Sequence, residues 1–212
     1  MSEQRKLRIL CLHGWKQDAT ALKAKSGALR KATKGLADFF FVDAPHIDGG
    51  ADERTWWTHN ADFSVFEGVD ESVEVVRAAL KEHAPIHGLF GFSQGSALAT
   101  YLLARAANDA EFDMPELNAI RFAILVSGFK PRATAMQPLL RDGTVVTPSL
   151  IVIGDADTVI KPAATLQQAA LFTDVTIAHH DGGHNVANRT TIAHMSEFLN
   201  RFVTAPTNDE SV

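Results

Sequence analysis

The chain has 212 residues, 46% of them hydrophobic, and a formal net charge of −5. That length supports one full core and is too short for two ordinary domains, and without a basic run a nucleic acid or an anionic membrane surface is a poor partner. A single cysteine, Cys11, excludes an internal disulfide, and no apolar stretch is long enough to span a bilayer.

Residues 1–6 are polar and lead straight into Leu7-Arg8-Ile9-Leu10-Cys11-Leu12, which reads as a first strand with Cys11 in the core. No signal peptide is recognised, so a cytoplasmic location is expected, with the nucleus open. The loop His13-Gly14-Trp15-Lys16-Gln17-Asp18 follows, then a helix over roughly 19–37 and a strand at Phe39-Phe40-Phe41-Val42, ending in Asp43-Ala44-Pro45-His46. A helix over 70–83 carries Val73, Val76, Ala79 and Leu80 on one face, the 3.6-residue period of an amphipathic helix. Next come a short strand at 86–90, a helix of small residues at 96–104, a strand at 121–126, a strand at 149–153, a helix at 162–172, a strand at 175–178 and a helix at about 189–202. Alternating strand and helix signals predict βαβ units, hence an α/β fold with a mostly parallel sheet of about six strands flanked by helices. One domain is expected over 1–204, with 205–212 a flexible, solvated tail.

Four clusters each directly follow a predicted strand. The most informative is Gly91-Phe92-Ser93-Gln94-Gly95, a G-x-S-x-G between strand and helix. A strand turning sharply into a helix strains the serine backbone and presents its hydroxyl, and the glycines avoid collision with the neighbouring strand and helix. Ser93 is therefore the candidate nucleophile. Such an elbow predicts an acid and then a histidine later in the chain. Gly154-Asp155-Ala156-Asp157-Thr158-Val159-Ile160 offers two acids at a strand end, where open α/β sheets build their sites. Asp157 lies deeper in the loop and is chosen; Asp155 suits a turn or cap. In His179-His180-Asp181-Gly182-Gly183-His184-Asn185, His184 follows two glycines that let the loop swing over the sheet edge, so it is the candidate base. His179 and His180 are read as structural or surface residues. A metal site from His180, Asp181 and His184 is the rival reading, disfavoured because the glycines break helical spacing and no further ligands complete a shell. The loop after the first strand supplies one oxyanion donor and the residue after the nucleophile the other, here Trp15 and Gln94.

These motifs resemble the FSH family of small serine hydrolases, within the α/β-hydrolase fold. The resemblance rests on Cys11-Leu12-His13-Gly14-Trp15, Asp43-Ala44-Pro45-His46, Arg54-Thr55-Trp56-Trp57, the elbow with Ser96-Ala97, Ser127-Gly128-Phe129, the Gly154 to Ile160 loop and Gly182-Gly183-His184. It runs from about residue 7 to about 200 and implies a three-layer α/β-hydrolase architecture. The elbow alone is also similar to acyl-protein thioesterases and related carboxylesterases. Ser96 departs slightly, since a small apolar residue or glycine is more usual there.

The expected chemistry is hydrolysis of a carboxylic ester or thioester through an acyl-enzyme, with His184 as base, Asp157 orienting it, and no cofactor or metal. The expected partner is a small-molecule acyl substrate; the oligomeric state is not readable. A non-catalytic binding protein on the same scaffold and an acyltransferase are the alternatives. Two segments, 46–68 and 130–147, fit no regular element. The first carries Trp56 and Trp57, which either roof an acyl site or pack the loop onto the sheet. Expected substrate contacts are His13, Pro45, His46, Trp56, Trp57 and Phe129.

Overall fold

A computed structural model describes residues 6–50 and 52–203. Strand β1 (Leu7–Leu12) is followed by α1 (Ala19–Lys25), α2 (Gly27–Ala32) and β2 (Ala37–Val42). Four two-residue strands come next: β3 (His46–Ile47), β4 (Arg54–Thr55), β5 (Thr58–His59) and β6 (Phe66–Glu67). Then follow α3 (Val69–Glu82), β7 (Gly88–Phe92), α4 (Gln94–Asn108), β8 (Phe122–Val126), β9 (Ser149–Gly154), α5 (Pro162–Ala169), β10 (Val175–His180) and α6 (Arg189–Val203).

The main sheet has six strands in the order β10-β9-β8-β7-β1-β2, every neighbouring pair parallel. Strands β7, β8 and β9 are buried at every position, as expected where helices cover both faces of a parallel sheet. Alternation along the strands splits the core in two. Leu10, Leu12, Leu89, Leu125 and Ile151 pack with the apolar faces of α3 and α4, including Val73, Val76, Leu98 and Leu102. Ile9, Cys11, Phe90, Phe92, Ile124 and Val152 pack with Leu22, Leu29, Met195, Phe198 and Leu199 from α1, α2 and α6. The result is the expected three-layer α/β-hydrolase arrangement.

Several boundaries differ from the sequence reading. The helix expected over 19–37 is two helices, because the chain breaks at Ser26: its N–H closes α1 onto Leu22 O and its carbonyl starts α2. The second helix ends at Thr33, and the turn through Gly35 delivers the chain to β2 at Ala37. The strand expected at 86–90 runs instead from Gly88 through Phe92, since Gly91 is still in register with β1 and β8, and Phe92 with β8, when the chain reaches Ser93. Of the two irregular segments, the first holds two small antiparallel ladders, β3 with β4 and β5 with β6, and the second a 3-10 turn at Thr134–Leu139. They meet through Thr134 N–H donating to Ser64 O at 2.8 Å and the Arg132 guanidinium 4.7 Å from the Phe63 ring centroid. The tail at 205–212 lies outside the described residues. Among those residues no helix is long and apolar enough to cross a membrane.

Candidate active site

Ser93 sits at the junction of β7 and α4 with φ 54° and ψ −117°. A left-handed φ costs an L-residue about 1–2 kcal/mol and persists only where the surroundings enforce it. Here they do: the Ser93 N–H donates to Val126 O at 2.9 Å, and its carbonyl accepts from Ala97 N at 3.1 Å. The flanking glycines are required by close approach. A Cβ on Gly91 would lie 2.5 Å from the Ser96 Cα, and one on Gly95 would overlap the Leu12 carbonyl.

The loop after β9 places Asp157 almost fully inside the protein. Its Oδ1 accepts from the N–H groups of Val159 and Ile160, each at 2.9 Å, and its Oδ2 accepts from His184 Nδ1 at 2.7 Å. With Nδ1 donating, His184 keeps Nε2 as its basic nitrogen. The His184 ring packs on Phe92, the residue that precedes Ser93, with centroids 4.8 Å apart. No hydrogen bond joins Ser93 Oγ to His184 in this structure; such contacts are often loose in unliganded sites and tighten with substrate. Asp155 binds a different histidine, His179 Nδ1 at 2.7 Å, at the solvated edge of β10. His180 is buried and accepts from Gly182 N–H at 3.1 Å through Nδ1. Among the described residues no cluster of three or more His, Cys, Asp or Glu side chains is arranged to hold a metal ion.

Gln94 is the first residue of α4, where a backbone N–H has no intrahelical acceptor. Trp15 lies in the loop after β1, with its indole half-exposed and held by an Nε1–H bond to Asp48 Oδ2 at 2.7 Å. The Gln94 side chain has a role that sequence reasoning missed. Its Oε1 accepts from Trp56 N at 3.0 Å and lies 2.9 Å from the Thr55 hydroxyl, while its Nε2 donates to Trp57 O at 3.0 Å. These partners lie almost forty residues away in the chain, so no local periodicity points to them.

Those bonds fit the second of the two expected roles of the tryptophans, packing of the loop. Trp56 is wholly buried; its Nε1–H donates to His13 O at 2.8 Å and its carbonyl accepts from Ser72 Oγ at 2.5 Å. Trp57 is nearly as deep, stacked on Phe66 with centroids 5.0 Å apart and edge-on to Phe129 at 6.5 Å. Trp56 therefore presents no face to a substrate, and both rings pack the loop onto the sheet. His13 is likewise a strut rather than a substrate contact. It is wholly buried, Nδ1 donates to Gly14 O at 2.8 Å, and Nε2 accepts from Ala44 N–H at 3.0 Å, joining the loops after β1 and β2. Burial pushes its pKa down, so the ring is held neutral. His46 donates from Nε2 to Gly68 O at 2.8 Å, and Pro45 and Phe129 are half-buried at strand ends.

A parallel sheet with a strained serine at one strand end and a hydrogen-bonded Asp–His pair at two others defines a serine hydrolase on the α/β-hydrolase fold. The comparisons place it more closely. The chain belongs to the family described as "Serine hydrolase (FSH1)", whose profile matches residues 1–195. It is 34% identical to Esterase OVCA2 of Danio rerio, covering 92% of this chain and 97% of that one, and 37% identical to Esterase C25G4.2 of Caenorhabditis elegans, covering 88% and 89%. The solved structure of Zea mays acyl-protein thioesterase 2 shares the fold at 21% identity, with a TM-score of 0.72 over 95% of this chain and 96% of that chain.

Proposed function

We propose that this hydrolase cleaves carboxylic esters or thioesters through a Ser93-Asp157-His184 triad. The observation that carries the proposal is the part-buried 2.7 Å bond from His184 Nδ1 to a buried Asp157 carboxylate already fixed by two backbone donors, behind a serine held at a positive φ. His184 Nε2 takes the Ser93 proton as Oγ attacks the acyl carbonyl, and Asp157 stabilises the imidazolium. The backbone N–H groups of Trp15 and Gln94 hold the oxyanion, each such donor typically lowering the barrier by about 3 kcal/mol. Collapse expels the alcohol or thiol with the proton from His184. Water, deprotonated by the same nitrogen, attacks the acyl carbonyl; collapse breaks the bond to Ser93 Oγ, which regains a proton from His184 as the acid leaves. Relatives named esterases and a thioesterase with the same fold support this substrate class.

Wild-type enzyme should react with a fluorophosphonate probe at Ser93, and Ser93→Ala should fold normally while losing hydrolysis of a simple aryl ester by on the order of a millionfold. Near-normal turnover by the alanine variant would sink the assignment.

A further inference from the structure

Behind the strand ends lies a buried polar cluster that the mechanism above does not use. Gln168 on α5 is wholly buried, and its Nε2 lies within reach of three acceptors on α4: Ser96 O at 3.2 Å, Ser96 Oγ at 2.9 Å and Thr100 Oγ1 at 2.6 Å. Ser96 and Thr100 are wholly buried too. Beside them Thr165, also on α5, donates to Gly128 O at 2.8 Å. Gly128 approaches so closely that a Cβ would overlap Ser96 Oγ and Gln168 Oε1. Two buried side-chain atoms of this region have no hydrogen-bond partner within the protein, Gln168 Oε1 and the hydroxyl of Ser127, a residue with φ 46°.

Leaving a buried polar atom unpaired costs about 1–3 kcal/mol, whereas an apolar pair of the same shape can be neutral or stabilising. Apolar side chains of the same shape could fill this space without loss of stability, so the cluster asks for another reason to exist. Its place in the fold supplies one. Ser96 lies in the first turn of α4, three residues after Ser93. Gln168 lies on the helix into which the acid loop runs, and the Val159 and Ile160 amides that hold Asp157 come just before that helix begins.

We infer that Gln168 is a positioning residue, tying the turn that bears Ser93 to the helix that ends the Asp157 loop and so setting the spacing between nucleophile and acid–base pair. The inference rests on the triad proposed above. The hydroxyl of Ser96 is the group the Gln168 amide meets in that turn, at 2.9 Å.

A displacement of about 1 Å at reacting groups costs on the order of 10²-fold in rate. Gln168→Leu should therefore lower kcat by about 10–100-fold, leave KM within about threefold, and slow fluorophosphonate labelling in parallel with kcat. In Ser96→Ala/Gln168→Leu both polar partners are gone, so the melting temperature should return toward wild type while kcat stays low. If Gln168→Leu melts early but keeps wild-type kcat well below its melting temperature, or if the double variant regains both, Gln168 only packs and the inference is overturned. Should the single variant not fold, Gln168→Met and the double variant carry the same test. Full activity in Ser93→Ala would instead overturn the triad itself, whatever Gln168 does.

Discussion

The loop after β9 builds two aspartate–histidine pairs, one with His179 on β10 and one with His184 in the loop beyond it, each with the same 2.7 Å separation between Nδ1 and a carboxylate oxygen. Distance does not distinguish them; environment does. In the Asp157–His184 pair the carboxylate side chain is 1% exposed and the imidazole 18%, whereas in Asp155–His179 the values are 54% and 50%. In high dielectric an ion pair is screened and contributes about 0–1 kcal/mol. In the buried pair the carboxylate is oriented by two amides and acts through a less polar medium, so it can fix one imidazole tautomer and stabilise charge on the ring. The same contrast separates two tryptophans: the Trp15 indole is half in solvent, held by Asp48, while Trp56 is enclosed on all sides.

The strongest way to break this comparison is to exchange oxygen for nitrogen in both acids. Asp157→Asn should reduce kcat by about 10⁴ through loss of the productive tautomer, and Asp155→Asn should leave kcat within about threefold. Equal losses on an aryl ester, or the reverse order, would show that burial is the wrong criterion.

The tryptophans give the next largest effect. Trp56→Ala should cost about 3–5 kcal/mol of stability, the range for a fully buried large aromatic, and its residual activity should fall alike on short and long acyl chains. A loss confined to long chains, with an unchanged melting curve, would return Trp56 to the role of substrate contact. Trp15→Ala should barely move the melting temperature.

Acid provides a finer probe of burial. The folded state holds His13 below its ordinary pKa, chiefly by desolvation, and His87 in the same direction, by desolvation and then the charges of Arg121 and Arg8. Below about pH 6.5 the unfolded chain therefore binds protons at these positions before the folded one does. Stability from this source is complete above that pH and is lost as pH falls toward the folded pKa values. Urea midpoints measured from pH 7.5 to 5 should decline, and His13→Gln should flatten the decline. An unchanged slope in that variant would remove His13 from the account. The smallest expected effect is on the exposed pair: Asp155→Asn should alter stability by less than about 1 kcal/mol, and less still at high salt.

Much of this was legible in the sequence because the signals are local. Apolar runs of five or six residues alternating with helical periods required a parallel sheet covered on both faces, and G-x-S-x-G is a backbone constraint: the close approach at Gly91 and Gly95 tolerates no Cβ. The order of serine, acid and histidine along the chain was readable for the same reason, since each follows the end of a strand. The choice of Asp157 over Asp155 was argued from loop depth, and the structure puts the two in opposite environments.

Chain pattern alone could not say where a side chain ends up when its partners are distant. A tryptophan pair in a long loop reads equally as a roof or as packing until the Gln94 amide, 38 residues from Trp56, is seen to clamp it down. A histidine after a strand reads as a site residue until Ala44 N–H occupies its Nε2. Gln168 carries no motif at all, and its meaning comes only from Ser96, 72 residues earlier, being folded against it. Local sequence determines which backbone conformations and periodicities are affordable; the burial and hydrogen-bond satisfaction that assign a polar or aromatic side chain its role depend on long-range packing, which only the tertiary structure decides.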